Sequence, residues 1–431
     1  MMKQKNQSSK WRRLDNSAKL FPIIQNRKFS TVFRLSAILK EEIDETILKK
    51  ASERALKKFK FFKVTLKKGA FWYYFEDNPK EIIIEEENNY PCKYIDKNTN
   101  NGFSFKITYF KNKINLDVFH SLTDGNSASD FFKEIVYTYI ELKHSEKFVI
   151  DLRSQKKVKY NTEDSYIKNY NKKLKGNANG QKAYILRGKK LPLDAISVIH
   201  EIINLEQLKN EALKKECTIT QYLTSVLIFS IYKANYLKNK SKKPVKVCIP
   251  VNLKKYFDSQ TISNFFSYIT VVANMEELKT FDEILEFVKN DFKEKLQKEE
   301  ILKTMSANVK LGNNIFVRLI PLFLKRIVLN ISYLEIRKYT TTTFSNIGRI
   351  GIIQEYREFI DNFVMLIAPE SVEKIKCSAC SFENNITFTF TSILQDIEIQ
   401  KTFYNLLKEQ GIDVKIESNG VPNAISRDFE Y

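Results

Sequence analysis

Residues 103–142 constrain the fold more tightly than any other stretch. Residues 103–110 and 114–119 are dense in Phe, Ile, Val and Tyr, with the polar turn Lys111-Asn112-Lys113 between them. They read as a strand pair. Residues 126–142 carry apolar side chains at Ala128, Phe131, Phe132, Ile135, Val136, Tyr139 and Ile140, the spacing of a helix with one buried face. Strand and helix are joined by F-H-S-L-T-D-G, residues 119–125. Within it His120, Asp124 and Gly125 form an H-x-x-x-D-G pattern, and His120 is one of only 3 histidines in the chain. Gly125 is expected to supply backbone freedom for the turn, and Ser127 is placed to cap the helix.

An imidazole titrates near neutral pH, so a positioned His120 can take a proton from a hydroxyl or an amine. Asp124 lies four residues on. It either holds the imidazole or binds a distant cation and fixes the turn. A loop histidine beside a helix-capping aspartate would give the same local pattern, so the rest of the chain has to decide.

The chain has 431 residues, enough for two domains and a large core. The formal net charge is +20, which attracts polyanions. The basic residues are scattered lysines among Glu, Asn and Ile, and no helix-turn-helix, zinc-finger or RNP pattern accompanies them. Nucleic-acid binding is therefore set aside as the main role. The cysteines are Cys92, Cys217, Cys248, Cys377 and Cys380, an odd, scattered set that makes no disulfide framework. Cys377 and Cys380 are three apart on an expected strand, so they point to opposite faces and would not clamp one metal. No metal site is expected. No apolar leader follows a basic start. The most membrane-like stretch, residues 315–336, is broken by Arg318, Pro321, Lys325, Arg326 and Glu335, whereas a spanning helix needs about 20 nearly uncharged residues. It reads as a core or substrate-entry helix, with an interfacial amphipathic helix as the alternative. A reduced, cytoplasmic setting is expected.

Along the chain, residues 27–39 read as a strand and 44–59 as an amphipathic helix capped by Asp44. Residues 61–66 and 71–76 read as a hairpin around Lys68-Gly69. These elements and the H-x-x-x-D-G unit make a first α/β lobe, residues 1–150. Residues 151–192 are rich in Lys, Asn, Tyr and Gly and read as a basic, largely exposed crossover. A second lobe, residues 193–431, follows. It has expected strands at 195–203, 244–250, 265–273, 340–345, 362–367, 375–382 and 386–392. Its expected helices lie at 205–215, 220–236, 281–296 and 396–410, before a loose tail. Helix 220–236 is apolar over most of its surface and should be buried.

The H-x-x-x-D-G unit resembles the signature of the chloramphenicol acetyltransferase-like superfamily, which includes condensation domains, BAHD acyltransferases and alcohol acetyltransferase-like proteins. Three further stretches resemble patterns of the last group. They are W-R-R-L-D-N-S-A-K-L-F-P at residues 11–22, I-P-V-N-L-K-K-Y-F at 249–257 with S-N-F-F at 263–266, and S-N-I-G-R-I at 345–350. Condensation domains usually carry a second histidine just before the catalytic one, where this chain has Phe119.

The resemblance implies an α/β fold of mixed sheets, in two lobes with an active-site tunnel between them. It implies acyl transfer, most simply acetyl transfer, from a coenzyme A thioester co-substrate to a small-molecule alcohol or amine. His120 would be the general base, with Asp124 and Gly125 completing the catalytic turn. The expected cation facing Asp124 falls at Lys254, in place of the usual arginine. Asn264 is expected to be structural. Ser345 and Asn346, together with the backbone N–H near Gly125, are oxyanion or tunnel candidates. The alternatives are a condensation-type transferase using a thioester on an acyl carrier protein, and a non-catalytic binding protein on the same fold.

Overall fold

The computed structural model describes residues 11–26, 29–148, 160–174 and 180–421. One sheet has five strands in the order Ile360–Ile367, Val32–Leu39, Lys113–Phe119, Phe105–Phe110 and Ile84–Glu86. Its pairings are antiparallel except the last, where Ile84–Glu86 runs parallel to Phe105–Phe110. The reversal between Phe105–Phe110 and Lys113–Phe119 is tight because Lys111 takes a left-handed conformation, φ 50°. Two helices cover one face of this sheet. Helix Glu45–Lys58 starts where Asp44 accepts from the Ile47 N–H, and buries Leu48, Ala51, Ala55 and Leu56. Helix Gly125–Lys143 buries Phe131, Phe132, Ile135 and Val136 into the same core.

The second sheet has seven strands in the order Phe266–Ala273, Val245–Asn252, Thr342–Arg349, Ile375–Phe382, Asn385–Ser392, Ser197–Asn204 and Val414–Ser418. Thr342–Arg349 runs parallel to both of its neighbours, which long connections permit. Helices Ile219–Ile231, Phe281–Lys295 and Glu398–Glu409 pack on it. Ile219–Ile231 opens with a Thr218–Gln221 capping box and is buried almost all round, as its apolar composition demands. A separate three-stranded sheet joins Trp11–Arg13 to the hairpin Tyr73–Asp77 and Val64–Lys68.

The two large sheets meet through Val32, Phe119, Val198, Val364, Leu366 and Ala368. The strand Ile360–Ile367 pairs with Val32–Leu39, so residues 193–431 contribute to both sheets. Cys377 is buried in the core of the second sheet and Cys380 in that of the first, the two faces of one strand.

Four local expectations change. The described parts of 151–192 are not an exposed crossover: Tyr166, Tyr184 and Leu186 are buried. The few large apolar residues of that polar stretch pin it to the body, and Tyr166 exchanges hydrogen bonds with the Phe266 backbone at 2.8 and 3.0 Å. The end of the chain is not all loose, since Val414–Ser418 pairs with Ser197–Asn204. Residues 298–313 form a helix for which the periodicity reading made no provision. Helix Leu322–Ile336 is not a core helix: Leu322 is buried, but Phe323, Leu324, Ile327, Val328, Ile331 and Leu334 are exposed.

Candidate active site

Strand Lys113–Phe119 ends one residue before His120, and helix Gly125–Lys143 begins five residues after it. The turn between them is stitched to both halves of the chain. The His120 N–H donates to the Thr31 carbonyl at 3.0 Å. Ser121 Oγ donates to the Ala18 carbonyl at 3.0 Å, and Thr123 Oγ1 to the Ile262 carbonyl at 2.5 Å. The imidazole is half-buried among aromatic rings. Phe21 stacks on it at 4.7 Å, Phe33 meets it edge-on at 5.1 Å, and Phe266 lies at 5.3 Å.

Asn264 decides which ring nitrogen carries the proton. Its Nδ2 donates to Asp15 Oδ2 and to the His120 carbonyl, each at 3.1 Å. Two acceptors on the amino side turn Oδ1 toward the ring, and Oδ1 lies 3.1 Å from His120 Nδ1. An acceptor at that distance keeps the proton on Nδ1 in the neutral imidazole. The lone pair is then on Nε2, which has no hydrogen-bond partner among the described residues. Burial holds the His120 pKa below the ordinary imidazole value, and the charge of Lys376 acts in the same direction. The ring is therefore neutral, with its basic nitrogen available, at neutral pH.

Asp15 anchors Asn264. Its Oδ2 also accepts from the Asn264 backbone N–H at 3.1 Å, and its Oδ1 from the Ala18 N–H at 2.8 Å. Burial raises the Asp15 pKa to about 6, which these hydrogen bonds partly oppose. It lies in the N-terminal pattern quoted above, but nothing in the spacing joins residue 15 to residue 264. The fold alone makes that contact.

Asp124 does not hold the imidazole. It caps the helix, its Oδ1 accepting from the Ser127 N–H at 3.0 Å. It also faces a cation: Lys254 Nζ lies 3.0 Å from Oδ1 and 2.8 Å from Oδ2. The Phe265 N–H donates to Oδ2 at 3.2 Å. Lys254 Nζ donates to Ser127 Oγ at 2.7 Å as well, so the ammonium spends its donors on Asp124 and Ser127 together. A lysine thus spans a place where an arginine fork would bind two oxygens. Capping and cation pairing coexist in one carboxylate. The cap is Asp124 rather than Ser127, whose N–H is the group being capped.

Gly125 opens the helix without a positive φ, so the turn does not need its conformational freedom. A Cβ there would make ordinary contacts with Ile347 Cγ2 at 3.4 Å and Met365 Cε at 3.8 Å, so the packing does not demand glycine either. Ser345 and Asn346 lie within strand Thr342–Arg349 rather than at its end. Asn346 Nδ2 donates to Thr220 Oγ1 at 3.1 Å and its Oδ1 accepts from the Gly348 N–H at 2.9 Å. One of its two amino N–H groups is thus used at the start of helix Ile219–Ile231 and its oxygen in its own turn, and neither Ser345 nor Asn346 has a described hydrogen bond to His120. Beyond them a cavity of about 130 Å³ is lined by Asn126, Ser129, Asp130, Lys133, Ile347, Arg349 and Ile350.

Sequence reasoning passed over a buried charged cluster as well. Glu370 lies 2.9 Å from Lys376 Nζ, accepts from Tyr333 Oη at 3.3 Å, and has Arg337 at 3.7 Å. Glu373 accepts from Thr343 Oγ1 at 2.7 Å. Its carboxylates hold Lys376 charged, well above the usual lysine range. His200 stands apart from the site. Its Nδ1 lies 2.8 Å from Thr389 Oγ1, and burial lowers its pKa to about 4. His144 caps the far end of helix Gly125–Lys143. Among the described residues there is no group of three or more His, Cys, Asp or Glu side chains able to hold a metal.

Comparisons with known proteins bear on the fold. The TRI3 trichothecene 15-O-acetyltransferase from Fusarium sporotrichioides is similar at a TM-score of 0.61 and 11% identity, covering 95% of this chain and 96% of that one. A starter condensation domain of rhizomide synthetase, solved with C8-CoA, gives 0.62 at 9% identity, with 94% and 98% covered. The fold is that of the two-lobed acyltransferases. TRI101 from F. sporotrichioides, complexed with coenzyme A and T-2, gives 0.56 at 10% identity, covering 93% of this chain and 99% of that one. The family model for alcohol acetyltransferase matches residues 189–308. No curated protein matches the chain by sequence. Within the acyltransferase fold, the His120 turn lies where the five-stranded sheet meets the edge strand Phe266–Ala273 of the seven-stranded one.

Proposed function

We propose that this chain transfers an acyl group, most simply acetyl, from a coenzyme A thioester to a hydroxyl or amine acceptor. The observation that carries the reading is the Asp15–Asn264–His120 chain, which leaves Nε2 of a neutral imidazole as the free base. The alcohol acetyltransferase match over residues 189–308 supports the same reaction.

The chemistry needs one base and no protein nucleophile, because the thioester is already activated. His120 Nε2 removes the acceptor proton as the acceptor oxygen or nitrogen bonds to the thioester carbon. The carbonyl oxygen becomes a tetrahedral oxyanion. The first-turn N–H groups of Gly125 and Asn126, which have no intrahelical acceptor, are candidate donors to it. Collapse breaks the carbon–sulfur bond, and His120 returns its proton to the leaving thiolate. The products are the ester or amide and the free thiol. Asp124 and Lys254 act at a distance from the reacting atoms, as positioning residues for the turn. In the cavity lining, Arg349 is the cation that would meet a donor phosphate, since Lys133 Nζ lies 2.8 Å from Asp130 Oδ1.

A second reading takes the thioester from an acyl carrier protein. The likeness to a starter condensation domain and the net charge of +20, which would attract an acidic carrier, favour it. The five free cysteines suit a reducing, cytoplasmic setting for either reaction.

The deciding experiment is thiol release from acetyl-CoA and longer acyl-CoAs against a panel of alcohols and amines, with wild type beside His120→Ala. Acceptor-dependent release that disappears in the variant supports the reading. Release that survives removes His120 from the reaction. Silence with every coenzyme A donor, followed by turnover with a carrier-loaded one, moves the donor to the second reading.

A further inference from the structure

Helix Leu322–Ile336 is amphipathic the wrong way round. A surface helix ordinarily turns its apolar stripe to the core and its polar face to water. Here the inward face, beyond buried Leu322, is held by polar side chains. Lys325 is only 2% exposed; its Nζ donates to the Phe71 carbonyl at 2.9 Å and the Arg318 carbonyl at 3.1 Å, and sits 3.8 Å over the Trp72 ring. Asn330 Nδ2 donates to the Ile23 carbonyl at 3.1 Å, and Tyr333 Oη to buried Glu370. With those anchors inward, Phe323, Leu324, Ile327, Val328, Ile331 and Leu334 face out. Phe323 and Ile331 are each 61% exposed. Their spacings of three and four residues make one continuous stripe. The orientation is specified rather than accidental, because rotating the helix would break the Lys325, Asn330 and Tyr333 hydrogen bonds.

A stripe of this size calls for a partner. We infer that the outer face of helix Leu322–Ile336 docks on an anionic phospholipid bilayer, lying in its interface. Charge selects the bilayer over a second copy of the chain. Arg318 and Arg326 are exposed beside the stripe, and the helix's only carboxylate, Glu335, is paired with Lys338 and Lys182. Two chains of net charge +20 repel on approach, whereas an anionic surface attracts each of them. An apolar helix face flanked by cations is the chemistry of interfacial binding. The same helix is linked to the active site through one intermediary. It packs on helix Phe21–Ile24, whose Phe21 stacks on His120. On the acyl-transfer reading proposed above, the docked face would bring a membrane-dissolved, lipophilic acceptor to His120.

The test is vesicle flotation of the purified chain, without substrates, using phosphatidylcholine vesicles and equimolar phosphatidylcholine–phosphatidylglycerol vesicles. Wild type is expected to float with the mixed vesicles and less with the neutral ones. Ile327→Glu combined with Ile331→Glu should lower partitioning at least about tenfold. The same variant should melt where wild type does and turn over a water-soluble acceptor equally well. Wild type remaining with the soluble fraction overturns the inference. So does equal flotation of the double variant, or a dimer that the double variant splits while vesicles are ignored. His120→Ala is run alongside. If it floats like wild type while neither releases thiol, the docking stands and the acyl-transfer reading falls.

Discussion

At the His120 turn, Asp15, Asp124 and Lys254 are drawn into the protein, and the hydrogen bonds they make converge on one imidazole and the turn that bears it. On helix Leu322–Ile336, Lys325, Asn330 and Tyr333 are also drawn inward, but they converge on backbone carbonyls and a buried glutamate, and the apolar side is left in water. Both regions obey one rule: a polar group leaves solvent only where partners wait for it. The difference lies in what the polar contacts leave free. In the turn it is a nitrogen lone pair, and on the helix it is an apolar stripe. Buried polar groups are thus read best by what they force their neighbours to expose.

The comparison breaks most sharply at His120. His120→Ala should lower kcat by about 10²–10⁴-fold with the fold retained, as thiol-release kinetics and near-UV circular dichroism would report. Next in size is the Asp124–Lys254 pair. Asp124→Ala leaves a buried ammonium short of its partner and should cost about 3–5 kcal/mol in urea unfolding. Adding Lys254→Ala should return part of that loss; a double variant with strictly additive losses would show the pair to be uncoupled.

Asn264→Ala releases Nδ1 and should reduce kcat by about twofold to fivefold, because neutral imidazole then divides between two tautomers. The hydrogen bond that His120 Nδ1 donates to Asn264 Oδ1 raises the His120 pKa, so the same variant should also move the acid limb of the pH profile to lower pH. In the wild type, burial lowers the His120 pKa, so the basic form persists as pH falls below the ordinary imidazole value of about 6.5. An acid limb in kcat/KM centred at or above that value would contradict the neutral ring. The smallest effect belongs to the outer helix. Ile327→Glu with Ile331→Glu should change unfolding free energy by less than about 0.5 kcal/mol at each position, since neither side chain leaves a core.

Much of the fold could be read in the chain itself. The strand pair before His120, the helix after it, the Asp44-capped helix and the buried helix at 219–231 all follow from period and capping chemistry, which act over a few residues. The partners of these elements could not. Strand Ile360–Ile367 reads as a strand, but its place beside Val32–Leu39 depends on a pairing more than 300 residues away in sequence. The site divides the same way. The H-x-x-x-D-G pattern points to His120 and Asp124 as local features of a turn. Lys254 and Asn264 were legible only through resemblance. Asp15 carried no signal of its own, and the bond from the S-N-I-G asparagine to Thr220 joins residues too far apart in sequence to be read from spacing.

By itself the sequence determined most of the helices and strands that frame the site, where the catalytic-looking turn lies, and that residues 315–336 cannot form a clean spanning helix. These are consequences of periodicity, charge and short-range hydrogen bonding. The tertiary structure decided the tautomer of His120, the partner of Asp124 and the outward orientation of helix Leu322–Ile336. Each depends on which distant donor or acceptor reaches a buried group, and only the packed chain brings those atoms within hydrogen-bonding distance.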